Sequence, residues 1–214
     1  MIPEGNHNFE KTVLPQLIAQ HKIITYPTEH RYYSVGSHER LVLTEKFLER
    51  KKTVILDRDG VINKKAPQAD YVKNWNEWEW IPGSKEAICL LKKNGYRIII
   101  VSNQAGIARG KMTEANLEDI HQHMQEELAE CGGSIDSIYY CPHGWDASCN
   151  CRKPKPGMLF QAQRDFHLDL SKLYFVGDDE RDMIAGNAAG MKTFLVNDGY
   201  SLQNFVNEKL IADH

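Results

Sequence analysis

A chain of 214 residues has room for one large domain, or for one domain with an appendage. With 42% hydrophobic and 26% charged residues it has the balance of an ordinary globular protein, and a net charge of -3 argues against a general nucleic-acid binder or a basic membrane-surface protein. No apolar run approaches the length that spans a bilayer. The first residues, Met1-Ile2-Pro3-Glu4-Gly5-Asn6, lack the charged and apolar regions of a secretory leader, so a cytoplasmic location is expected, with neither nucleic acid nor membrane as a partner. Five cysteines, three of them within residues 141–151, point to a metal site more than to disulfides.

Residues 1–50 differ in character from the rest of the chain. Phe9 to Gln20 is expected to be helical, with Val13, Leu14, Leu17 and Ile18 on one face. Ile23 to Val35 reads as strands and turns, and Glu39 to Arg50 as a second helix. The runs Asn8-Phe9-Glu10-Lys11, Leu14-Pro15 and Tyr32-Tyr33-Ser34-Val35-Gly36-Ser37-His38-Glu39-Arg40-Leu41 are similar to the carboxyl end of sugar-1-phosphate nucleotidylyltransferases. That family has an aspartate where Ser34 stands, and its glycine-rich nucleotide loop is missing. The resemblance therefore implies a remnant, or the tail of a longer fused protein, with a structural role as an N-terminal appendage to a main domain at 51–214.

The main domain opens on Val54-Ile55-Leu56, an unalternated apolar run expected to be a strand buried on both faces of a parallel sheet. It ends in Asp57 and Asp59, one residue apart, then Gly60. Neighbouring carboxylates at a strand's carboxyl end repel each other and call for a cation or a shared proton, Mg2+ being the natural hard partner. A polar flap extends from there to Asn74, with Gln68 and Tyr71 placed to reach a substrate. Beyond it stand Trp75, Trp78 and Trp80, expected to hold the flap by packing.

A helix is expected from Ser84, its N-cap, to Asn94-Gly95. Tyr96 to Val101 is a second buried strand, ending in Ser102-Asn103-Gln104, whose polar groups before a glycine turn suit phosphate binding. Arg109 and Lys111 add cations on that rim. Thr113 to Glu130 reads as a long amphipathic helix with Thr113 as cap. His121 and His123 on it are expected at the surface, and Cys89 and Cys131 as isolated thiols.

A third strand, Ile135 to Tyr140, runs into Cys141-Pro142-His143 and Cys149-Asn150-Cys151. Four ligands within eleven positions match a zinc ion with three sulfurs and one nitrogen. With all four positions filled, the metal would be structural. Arg152-Lys153-Pro154-Lys155-Pro156 comes directly after, its cations stiffened by proline and suited to anion recognition. Further on are expected a helix from Pro156 to His167 and a fourth strand, Leu173 to Val176, that ends in Gly177-Asp178-Asp179. A helix from Arg181 to Ala189 and a fifth strand at 193–196 come next, and the rest reads as a tail with some helix. Strands alternating with helices imply an α/β fold, a doubly wound parallel sheet that gathers its strand ends at one crevice.

Asp57-x-Asp59-Gly60, Ser102-Asn103, Lys153 and Gly177-Asp178-Asp179 resemble the four motifs of haloacid-dehalogenase-like (HAD-like) phosphatases, which implies a Rossmann-like fold. More narrowly, Asp57-Arg58-Asp59-Gly60, the run from Ser102 to Gly110, Tyr139-Tyr140-Cys141-Pro142-His143 and Cys151-Arg152-Lys153-Pro154 are similar to the D,D-heptose 1,7-bisphosphate phosphatase group. The likeness covers residues 53 to about 199. Histidinol-phosphate phosphatases share the zinc loop but not the stretch Gly106-Ile107-Ala108-Arg109-Gly110. One departure is that five residues separate His143 from Cys149, fewer than expected for the heptose enzymes.

The resemblance implies a sugar phosphomonoesterase with Asp57 as nucleophile, Asp59 as acid and base, and Ser102 and Lys153 stabilising the transferred group. Mg2+ would be held by Asp57, the Asp59 carbonyl and Asp178, and Zn2+ by Cys141, His143, Cys149 and Cys151. Asn103, Arg109 and Arg152, with Gln68 and Tyr71, would hold a small phosphorylated sugar, most simply a heptose 1,7-bisphosphate losing its 7-phosphate. The short flap leaves no room for a large cap domain. Histidinol phosphate as substrate, or a zinc-stabilised module without catalysis, are the competing expectations.

Overall fold

The computed structural model describes residues 9–24, 36–48, 51–67 and 70–211. It divides into two compact units, Met1–Glu49 and Arg50–His214. In the first, a π-helical turn, Phe9–Val13, runs into α1 (Leu14–Ala19), and α2 spans His38–Leu48. Val13 is buried, whereas Phe9, Ile18, Val42 and Leu43 are exposed. Most of the strands expected over 23–35, with Ser34 among them, lie outside the described residues.

The second unit is a five-stranded sheet in the order β3-β2-β1-β4-β5, with every neighbouring pair parallel. The strands are β1 (Thr53–Leu56), β2 (Arg97–Asn103), β3 (Ser137–Cys141), β4 (Tyr174–Gly177) and β5 (Lys192–Leu195). Val54, Ile55 and Leu56 are fully buried because β1 lies mid-sheet with both faces covered. Alternate residues feed two cores. Val54, Leu56, Ile98 and Ile100 pack under α3 (Ser84–Lys93) and α4 (Glu114–Ala129). Ile55, Ile99, Val101 and Phe175 face α5 (Gly157–Phe166) and α6 (Glu180–Ala188). Each such side chain contributes roughly 1.5–3 kcal/mol by burial.

Local chemistry sets most boundaries. Thr113 caps α4 in a reciprocal box with Asn116, as its type predicts. Ser84 does not cap α3. Gly83, at φ 83°, takes that position, and the buried Ser84 hydroxyl donates to the Ile62 carbonyl at 2.7 Å. Trp75 and Trp78 stack at 5.3 Å, Trp80 meets Trp78 edge-on at 5.2 Å, and the Trp80 indole N–H donates to Glu127. The aromatic cluster is therefore packing.

Three further expectations need correction. Cys89 and Cys131 are not isolated: α3 and α4 lie side by side, and the two cysteines are joined as a disulfide with their Cα atoms 6.0 Å apart. His121 is turned inward, against Arg58. The last segment is more than a tail, since α7 (Leu202–Phe205) and the turn after it bury Leu202, Phe205, Val206 and Leu210.

Candidate active site

The carboxyl ends of β1, β2 and β4 open on a crevice of about 520 Å3. Asp57 continues the β1 ladder, its N–H donating to the Val176 carbonyl at 2.8 Å, which fixes its carboxylate at the crevice floor. Gly60, at φ 96°, turns the chain beneath Asp178, and a Cβ there would lie 1.9 Å from Asp178 Oδ2. Lys153 is only 3% exposed. Its Nζ lies 2.8 Å from Asp57 Oδ1 and 2.6 Å from Asp182 Oδ1, and it donates to the Val101 carbonyl at 3.0 Å. Burial pushes the Asp57 carboxyl up to about 7, with Lys153 opposing that rise and Asp182 adding to it.

Asp59 sits in a different field. Arg58, fully buried, donates to both of its oxygens at 3.0 Å, while Asn63 and Gln104 donate at 2.9 and 2.8 Å. Burial alone would raise this carboxyl, but Arg58 and the hydrogen bonds outweigh it and hold the group below its usual range. Gln104 also donates to Ser102 Oγ at 2.8 Å, so Ser102 and Asp59 share one amide. Burial and the Arg58 guanidinium, 3.4 Å from His121 Nε2, push that imidazole down to about 3 and keep it neutral.

The structure brings together Asp57, Asp59, Ser102, Lys153 and Asp178, as the spacing of their motifs predicts. Asn103 also lies there, but its amide is engaged by the Lys153 backbone, accepting at 3.0 Å and donating at 3.1 Å. Tyr71, Arg109 and Arg152 line the same crevice, and Gln68 lies outside the described residues. Asp182 is the main residue not foreseen. It lies on the first turn of α6, four residues after Asp178, and accepts from the N–H groups of Asp178 and Asp179 at 3.2 Å. That i to i+4 spacing past a strand-terminal acid was the available sign. Lys65, also unforeseen, pairs with Asp178 Oδ2 at 2.5 Å.

Two clusters fit metals. Carboxylate oxygens of Asp57, Asp178 and Asp182 lie within 4.8 Å of one another, and Asp178 Oδ1 is buried without a hydrogen-bond partner. An orphaned oxygen in an all-oxygen acidic set suits a hard divalent cation. In the loop after β3, His143 Nδ1 lies 3.6 Å from Cys141 Sγ and 3.3 Å from Cys151 Sγ. Cys141 Sγ lies 3.7 Å from Cys149 and 3.1 Å from Cys151. Ligands about 2.0–2.3 Å from a common tetrahedral centre stand roughly 3.5–3.8 Å apart, and this cluster is slightly tighter than that.

A parallel sheet that delivers acids from β1 and β4 to one buried lysine is the architecture of the HAD-like hydrolases, and residues 150–210 match the HAD-hydrolase-like family pattern. The chain is 47% identical over 146 residues to the D-glycero-beta-D-manno-heptose-1,7-bisphosphate 7-phosphatase of Pseudomonas aeruginosa, covering 68% of this chain and 81% of that one. It is 41% identical over 177 residues to the enzyme of the same name from Pasteurella multocida, covering 76% and 94%. Among solved structures, D,D-heptose 1,7-bisphosphate phosphatase from B. bronchiseptica, complexed with magnesium and phosphate, superposes with a TM-score of 0.71 at 36% identity, covering 76% of this chain and 99% of that one. The chain belongs to the family of these heptose-bisphosphate 7-phosphatases.

Proposed function

We propose that this protein hydrolyses the 7-phosphate of D-glycero-β-D-manno-heptose 1,7-bisphosphate. The observation that carries the reading is the Asp57 carboxylate, held at the crevice floor against buried Lys153, with a second carboxylate two residues on in an opposite electrostatic setting. Asp57 attacks phosphorus in line and becomes an aspartyl phosphate, dividing the hydrolysis into two easier steps. Asp59 gives a proton to the leaving sugar oxygen and then takes one from the attacking water. A doubly negative phosphate beside it favours its protonated form once substrate is bound, against the pull of Arg58. Lys153 and the Ser102 hydroxyl hold charge on the transferred group, with Gln104 orienting Ser102. Arg109 and Arg152 hold the phosphate that stays behind.

Asp57 and Asp178, with the Asp59 carbonyl and Asp182 nearby, would hold Mg2+, which when bound offsets the repulsion between nucleophile and phosphate. Cys141, His143, Cys149 and Cys151 would hold Zn2+ in a closed structural site that fixes the loop leading to Arg152 and Lys153. Residues 1–50 are read as an appendage with a structural role and nucleotidylyltransferase ancestry. The test is Mg2+-dependent phosphate release from the β and α anomers and from histidinol phosphate, by wild type and Asp57→Asn. The β anomer is expected to be preferred, and the variant to lose about a thousandfold or more. Equal rates for the two proteins would discard the covalent route, and preference for histidinol phosphate would discard the substrate.

A further inference from the structure

We infer that Trp145 is a specificity-determining residue, one that holds the non-reacting end of a sugar bisphosphate; this rests on the function proposed above. Three separate segments meet at the crevice rim: Tyr71 from the flap, Arg109 from the loop after β2, and Trp145 from the Cys/His loop. The Arg109 guanidinium carbon lies 5.9 Å from the Tyr71 ring centre and 5.5 Å from that of Trp145. Arg109 forms no ion pair among the described residues, and with two rings within cation–π reach its guanidinium N–H groups are left for an anion.

Trp145 is 78% exposed, whereas Trp75, Trp78 and Trp80 pack against the cores. Its position in the loop is fixed from both sides, by His143 before it and Cys149 after it. An exposed indole on a tethered loop, at the lip of a phosphate-binding crevice and beside that guanidinium, is matched to one class of ligand. That ligand has an apolar C–H face to lie on the ring and a second phosphate to meet the arginine. A small phosphomonoester with no distal group would gain nothing from either. Five residues separate His143 from Cys149, and Trp145 among them lines the crevice.

The test compares wild type, Trp145→Ala and Trp145→Phe on the heptose bisphosphate and on p-nitrophenyl phosphate, which has neither sugar nor second phosphate. Trp145→Ala is expected to lower the kcat/KM ratio of bisphosphate to p-nitrophenyl phosphate roughly fivefold, about the worth of one exposed cation–π contact. The change should fall on KM, and Trp145→Phe should restore most of it. In an Asp57→Asn background, bisphosphate should quench indole fluorescence, and Trp145→Phe should remove that quench. Wild type that uses the bisphosphate with an unchanged ratio in Trp145→Ala would overturn the inference and leave the function standing. Wild type that hydrolyses p-nitrophenyl phosphate but not the bisphosphate would overturn both.

Discussion

The raised Asp57 carboxyl makes the stability of the metal-free protein depend on pH in a direction that can be worked out. In the folded chain this group holds its proton to about pH 7, against an ordinary value of 3.8, because burial outweighs the Lys153 ammonium. Between those values the folded state binds more proton than the unfolded one. Its contribution to stability is therefore whole below pH 3.8 and is lost as pH rises through 7. At 1.36 kcal/mol for each tenfold difference in proton affinity, the swing is on the order of 4 kcal/mol. The measurement is urea unfolding of chelator-treated wild type and Asp57→Asn from about pH 4 to pH 8, a range that brackets the transition. Wild type should lose stability relative to the variant across that range, and saturating Mg2+ should flatten the difference by favouring the ionised carboxylate. Parallel curves without metal would show that Lys153 compensates Asp57 fully and that burial does not dominate.

Lys153→Met leaves Asp57 and Asp182 buried without their shared cation, and should cost about 3–5 kcal/mol of stability, read from the urea midpoint. An unchanged midpoint would mean that the pair is screened by water. If the Cys/His cluster holds Zn2+ as proposed, wild type should carry about one zinc per chain and Cys149→Ser only a fraction of that, by metal analysis after dialysis. Full retention of zinc would remove Cys149 from the site.

The strands were legible because a sheet buried on both faces has to be built from unbroken apolar runs such as Val54-Ile55-Leu56 and Ile98-Ile99-Ile100-Val101. The residues gathered at the crevice were legible for a related reason, since a parallel sheet places its strand-terminal groups on one edge. What stayed hidden depends on helices meeting other elements. Asp182 reads as an ordinary first-turn acid until α6 is set against β4, where it meets Lys153. Cys89 and Cys131 lie 42 residues apart, and only the packing of α3 on α4 brings them together. His121 reads as a surface residue because the cation it faces, Arg58, is 63 positions away. Ser84 has the right chemistry for a cap, but a glycine one residue earlier takes the left-handed turn and leaves the serine to bond Ile62.

The charges at the crevice floor tie these features to one requirement. The Asp57, Asp178 and Asp182 carboxylates face the ammonium groups of Lys153 and Lys65, which leaves one negative charge in excess when all are ionised. A phosphate dianion brought to about 4 Å of that excess would be repelled by on the order of 8 kcal/mol at an effective dielectric of about 20. Burial raises the carboxyls of Asp57 and Asp178, the Asp182 charge adds to both, and Asp178 Oδ1 has no hydrogen-bond partner, so the floor is set to take up a proton or a cation. Under the proposed mechanism a proton would silence the Asp57 nucleophile, whereas Asp57, Asp178 and Asp182 holding a divalent cation would leave Asp57 ionised and would offset the charge that repels a dianion. Arg58 already neutralises Asp59, which would leave that carboxylate to the proton transfers the proposal gives it.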